Sequence, residues 1–95
     1  MFEKQADLMV HTPVINSQRL RALLDGVNAF GRNSQTGGYN RVGYSDADMA
    51  VRSWFLEQMR ADGLTVHRDP VANLFGRYGP VDGPSIMAGS HLDTV

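Results

Sequence analysis

The residues of this chain best suited to chemistry stand at its very end, in Gly89-Ser90-His91-Leu92-Asp93-Thr94-Val95. A largely apolar run, Ser85-Ile86-Met87-Ala88, leads straight into a His-x-Asp pair. Side chains alternate along an extended strand, so His91 and Asp93 are expected on the same side of it. An imidazole and a carboxylate so placed suit a metal ion. The imidazole binds it, and the carboxylate either accepts the ring's other N–H or neutralises charge nearby. Zinc takes three or four protein ligands, and a catalytic site needs a base as well. The rest of the sequence offers little to complete that set, so the pair reads as the first piece of a metal site whose remainder lies downstream. The plainer alternative is a strand-end histidine followed by a turn aspartate. His67 alternates with Val66 and is expected to face solvent, and His11 belongs to an N-terminal arm; neither is expected to be a ligand.

The elements that must position this pair follow from periodicity. Residues 1–14 read as a flexible arm ending near Pro13. Asn16 or Ser17 can cap a helix near 16–30, with Ile15 as its hydrophobic staple. Leu20, Leu23, Leu24, Val27 and Phe30 recur at helical spacing there. Gly31 is a natural stop, while Gly26 inside the helix costs about 1 kcal/mol relative to Ala. Arg32 to Tyr44 is polar and glycine-rich and reads as a surface loop that approaches a ligand, with Arg41 and Tyr44 either binding substrate or simply solvated. Ser45 caps a second helix, near 45–62, with Asp46 and Asp48 as helix-start charges. Ala47, Val51, Trp54, Phe55 and Met59 form its buried face, and Arg52 sits on the outer side or at its edge.

At Gly63 the period changes to two. Leu64 to His67 is a strand, Asp69-Pro70 breaks it, Asn73 to Tyr78 is a second strand, and 85–90 is a third. Asn73 is expected to bond backbone at a strand start. The short turn at 79–84 makes the second and third strands antiparallel neighbours. The fold class is therefore α/β, two N-terminal helices packed on one face of a partial mixed sheet whose other face has no cover in this sequence.

Composition narrows the function. The chain has 95 residues, a net charge of −1 and no cysteine. There is no basic footprint for nucleic acid, no disulfide and no thiolate ligand. No stretch approaches a membrane span or a secretory signal, so a cytoplasmic protein without nucleic-acid or membrane partners is expected.

Four stretches together resemble the N-carbamoyl-L-amino-acid hydrolase and allantoate amidohydrolase group, the amidase branch of the di-zinc aminopeptidase/carboxypeptidase-like superfamily. They are Ile15-Asn16-x-x-Arg19-Leu20 with Leu23 and Phe30-Gly31; Arg41-Val42-Gly43-Tyr44-Ser45-x-x-Asp48 with Arg52; Gly63-Leu64-x-Val66-x-x-Asp69 leading to Asn73-Leu74-Phe75-Gly76-Arg77; and the closing Gly89 to Val95. Ala72 departs from the group's usual glycine, for which a small loop adjustment is expected. The resemblance implies that residues 15–95 are the truncated N-terminal part of a di-zinc exopeptidase-like (phosphorylase/hydrolase-like) catalytic domain. It further implies that His91 ligates one of two divalent metal ions, zinc foremost, with Mn, Co or Ni as alternatives. Asp93, the candidate catalytic residue, orients it. The implied enzyme is a homodimer that hydrolyses C–N bonds of small linear amides and ureido compounds, and the 95-residue chain alone is expected to be inactive. A metallo-exopeptidase of the same superfamily and a non-catalytic α/β domain are the alternatives.

Overall fold

A computed structural model of the chain describes residues 12–95, so His11 and most of the expected arm lie outside the described residues. Helix α1 spans Ser17–Asn28, helix α2 spans Asp46–Ala61, and strands β1 (Thr65–Arg68) and β2 (Leu74–Arg77) follow. Asn16 caps α1 by accepting the Arg19 N–H at 3.1 Å. Ile15 and Leu20, the pair that would form the expected staple, both stay exposed. Ser45 caps α2, accepting the Asp48 N–H at 3.3 Å. Past Ala61 the Leu64 N–H returns to the Met59 carbonyl at 3.0 Å, which ends the helix and starts the strand within one turn.

β1 and β2 form a two-stranded antiparallel sheet, with Thr65 opposite Arg77 and Arg68 opposite Leu74. Helix α2 packs on this hairpin and supplies the buried apolar residues, Val51 and Met59. β2 comes this close to α2 at Gly76, where a Cβ would collide with Met59 Sδ and Leu64 Cδ1. Helix α1 instead meets α2: the Phe30 and Trp54 rings lie 6.0 Å apart and tilted, and the Trp54 indole sits directly on Gly26. The two helices thus do not lie side by side on one sheet face; α1 rests on α2, and α2 rests on the sheet.

The α/β class stands, but the sheet is an antiparallel pair and not a partial mixed sheet. Residues 85–90, expected as a third strand beside β2, are extended chain without strand pairing, and Ile86 is fully exposed. A strand requires a partner for its backbone groups. The Arg77 guanidinium takes the carbonyls of Pro80 at 2.7 Å and Gly83 at 3.0 Å, curling the chain back on itself just after β2. The neighbour of β2 is therefore β1, joined to it by the 69–73 loop. In that loop Ala72 adopts φ +70°. The departure from glycine at this position is a departure into left-handed backbone, which costs a non-glycine residue about 1–2 kcal/mol.

Two stability changes follow. Gly26→Ala gains about 1 kcal/mol of helix propensity but drives a methyl into the indole, an overpacking cost of about 1–3 kcal/mol. The variant is expected to unfold at lower urea than the parent. Ala72→Gly relieves the left-handed strain and is expected to stabilise by about 1 kcal/mol. Urea midpoints in the reverse order would contradict the packing at Gly26 and the backbone strain at Ala72.

Candidate functional site

The site is built from the tail inward. His91 Nδ1 lies 3.0 Å from the Asp93 carbonyl oxygen and 3.2 Å from Asp93 Oδ1. Both neighbours only accept, so a neutral His91 must carry its proton on Nδ1, and the lone pair is left on Nε2. The imidazole side chain is 78 % exposed, so Nε2 faces open space. The pair does share one side of the chain, as its spacing suggests, although the backbone carrying it is not a paired strand. Asp93 is backed by the loop before α2: a Cβ on Gly43 would stand 3.6 Å from Asp93 Oδ2.

What fixes the tail there is Arg41. Its side chain is nearly enclosed, with 4 % of the residue exposed, against the expectation of a solvated or substrate-binding loop residue. The guanidinium donates through Nη1 to the carbonyls of Phe30 at 2.7 Å and Val27 at 3.2 Å. These lie at the C-terminal end of α1, whose last carbonyls lack helical partners and carry the negative end of the helix dipole. Nε donates to the Leu92 carbonyl at 2.7 Å, between His91 and Asp93. The Arg41 backbone joins Thr94 in both directions: its N–H reaches Thr94 Oγ1 at 2.9 Å, and its carbonyl accepts the Thr94 N–H at 2.7 Å. The Thr94 hydroxyl donates to the Tyr39 carbonyl at 3.2 Å. Nothing in the local pattern marks Arg41 as buried, since its partners lie 11–14 residues behind and 51–53 ahead in sequence.

A second buried cluster stands behind the loop. Asp48 is fully enclosed and does more than favour a helix start. Its Oδ2 accepts Arg52 Nε at 2.9 Å and the Tyr44 N–H at 2.8 Å. Arg52, expected at the outer edge of α2, is largely covered, passes over the Tyr44 ring and donates to the Ala72 carbonyl at 2.5 Å. Tyr44, at φ +65°, sends its hydroxyl to the Val71 carbonyl at 2.9 Å. The loop motif, α2 and the hairpin loop are thereby one bonded unit. A cleft of about 430 Å³ opens between this unit and the tail, lined by Arg52, Phe55, Asn73, Leu74, His91 and Asp93 among others.

Asn73, expected to bond backbone, instead spends its side chain on Asp69: Nδ2 donates to Asp69 Oδ2 at 2.8 Å, while its own N–H goes to Oδ1 at 2.8 Å. The Asn73 side-chain bond leads the effects that hold the Asp69 carboxyl below its ordinary pKa of 3.8. Desolvation opposes it as the next largest effect, and the Asn73 and Val71 N–H groups and nearby His67 each add a smaller lowering. His67 itself faces outward with its ring 5.8 Å from Phe75, its cross-strand partner. Among the described residues no group of three or more His, Cys, Asp and Glu stands close enough to hold a metal ion. His91 and its carboxylate partner therefore fit a metal as one ligand and its orienter, not as a complete donor set.

The depressed Asp69 pKa has a defined sign. The ionised carboxylate stabilises the folded loop, so its contribution is complete above the ordinary value and is lost as pH falls through the folded one. The protection of the Val71 and Asn73 amides, measured against the intrinsic exchange rate at each pH, is expected to fall on acidification below that range. Asn73→Ala should move the Asp69 titration up toward the ordinary value, as read by carboxyl NMR. An unchanged Asp69 titration in that variant would show that the Asn73 side chain does not hold it.

No protein-family model matches the chain, and no solved structure matches it. Curated proteins do, among them the following three. The allantoate amidohydrolase of Escherichia coli (strain K12) is 34 % identical over 80 residues, covering 82 % of this chain and 19 % of that protein. The N-carbamoyl-L-amino-acid amidohydrolase of Pseudomonas sp. (strain NS671) is 36 % identical over 86 residues, covering 88 % and 20 %. The ureidoglycolate hydrolase of Arabidopsis thaliana is 29 % identical over 92 residues, covering 95 % and 18 %. The chain spans about a fifth of the length of these relatives. Over that stretch, the chain that carries His91, Asp93 and the Arg41 clamp resembles the N-carbamoyl-L-amino-acid hydrolase and allantoate amidohydrolase group.

Proposed function

We propose that this chain is part of a metal-dependent amidohydrolase that cleaves C–N bonds in small linear amides and ureido compounds, of the kind its relatives' names describe: allantoate, ureidoglycolate and N-carbamoyl amino acids. The observation that carries the reading is the His91–Asp93 pair. It presents Nε2 to open space beside a cleft that both residues line, in a chain most of whose length matches those hydrolases. His91 Nε2 would hold one divalent ion, zinc foremost. When bound, such an ion acidifies a water and polarises the scissile carbonyl. Asp93 keeps the proton on Nδ1, fixes the ring plane and offsets the positive charge. The remaining ligands and the general base would come from polypeptide that the longer relatives possess and this stretch does not span. The same proposal extends to a cytoplasmic, homodimeric whole enzyme.

A single imidazole gives one strong bond where a tight zinc site uses three or more. Calorimetry on residues 1–95 is accordingly expected to show only weak zinc binding, and no turnover of any N-carbamoyl amino acid. Nanomolar binding lost in His91→Ala would mean that the chain carries a self-contained site. Grafted in place of the matching stretch of the Pseudomonas relative, the chain should support chelator-sensitive release of amino acid from an N-carbamoyl substrate. His91→Ala should abolish it, and Asp93→Asn should lower metal affinity or activity by about 10–100-fold. A folded chimera that is inactive, or that keeps its activity in His91→Ala, would sink the reading; one that cleaves only peptides would move it to the exopeptidase branch.

A further inference from the structure

We propose that Arg41 and Thr94 are positioning residues for the His91–Asp93 pair, setting the tautomer and aim of the imidazole through the backbone of Leu92 and Thr94. The inference rests on the functional reading above and adds residues that it does not use. Three observations carry it. The side chains of the pair belong to chain with no strand partner, so no ladder of hydrogen bonds fixes their backbone. The bonds that do fix it all lead to one loop. The Leu92 carbonyl accepts Arg41 Nε at 2.7 Å, and Thr94 exchanges two bonds with the Arg41 backbone, at 2.9 and 2.7 Å. The acceptors that decide the tautomer, the Asp93 carbonyl and carboxylate, lie between these two anchored residues.

The choice of arginine is chemical. Its fork spans the Phe30 and Val27 carbonyls on one nitrogen and the Leu92 carbonyl on another. A lysine keeps the charge but concentrates its donors on one atom and cannot hold both sets in fixed geometry. With that link gone, the tail loses its attachment to the end of α1. The Asp93 acceptors then no longer stay in line with Nδ1.

The test is the tautomer of His91 in the 95-residue chain, read by long-range ¹H–¹⁵N NMR at about pH 8.5, two units above the ordinary histidine value. The parent is expected to show a pyrrole-type Nδ1 and a pyridine-type Nε2. Arg41→Lys and Thr94→Val are each expected to move Nδ1 toward the pyridine-type position, with the Val51 methyl and Trp54 indole signals unchanged. Thr94→Ser, which keeps the hydroxyl, is expected to restore the parent pattern. A folded Arg41→Lys or Thr94→Val with the parent tautomer would overturn the proposal. Should Arg41→Lys fail to fold, Thr94→Val alone decides. A parent chain that lacks the pyrrole-type Nδ1 would instead remove the His91–Asp93 arrangement, and with it the functional reading.

Discussion

The structure depends on one nearly enclosed cation. Arg41 collects the carbonyls of Val27 and Phe30 at the end of α1 and that of Leu92 in the tail. The charge would be costly to enclose without these acceptors. The arrangement solves three problems at once. It finishes α1, it anchors a polar glycine-rich loop, and it gives the chemically competent end of the chain a fixed seat. The Asp48–Arg52 pair does the corresponding work one turn further on, joining the start of α2 to the Tyr44 backbone and to the hairpin loop at Ala72. Asp48 Oδ1 is left without a partner in this arrangement. A buried pair with an unsatisfied oxygen is weak evidence for stability; its place in the structure is to hold loops together.

Most of the elements were legible in the sequence. The caps at Asn16 and Ser45, the stop at Gly63 and the first two strands follow from local rules about orphan backbone groups and side-chain period. The third strand was not, because strand character in Ser85 to Gly89 is a statement about propensity, and pairing is a statement about a partner. Arg77 turns the chain before a partner is reached. The His91–Asp93 pair was found by type and spacing, since two residues two apart need only an extended backbone to meet. Arg41 and Arg52 read as solvated or edge residues for the usual reason that charge prefers water, and Asp48 reads as a helix-start charge. What draws Arg41 and Arg52 inside is in large part backbone carbonyls well away in sequence, at Leu92 and Ala72 above all, whereas Asp48 is held by its near neighbours Tyr44 and Arg52.

Gly26 and Ala72 show the same division from the side of backbone cost. A glycine inside α1 is unfavourable by propensity alone, yet the Trp54 indole fills the space a methyl would take. Ala72 is a good residue by composition and a strained one by conformation, at φ +70°. At Gly26 the tertiary neighbour decides the sign, and at Ala72 the backbone conformation does.

The Arg41 clamp also has a consequence in time. Its bonds to Leu92 and Thr94 close a loop of 51–53 residues, whereas the helix caps and the β1–β2 hairpin close loops of a few residues to about a dozen. Closure entropy grows with the logarithm of loop length, so the short loops are settled first and cheaply. Non-local contacts of this span set the pace of folding. A ribosome delivers the chain from its N-terminal side, and His91 emerges only after both helices and the hairpin. The scaffold can therefore assemble before the residues it serves exist, and the clamp is the last contact made. By the same reasoning it is the first to open in native-state fluctuations, so that the tail detaches while the helices remain in place.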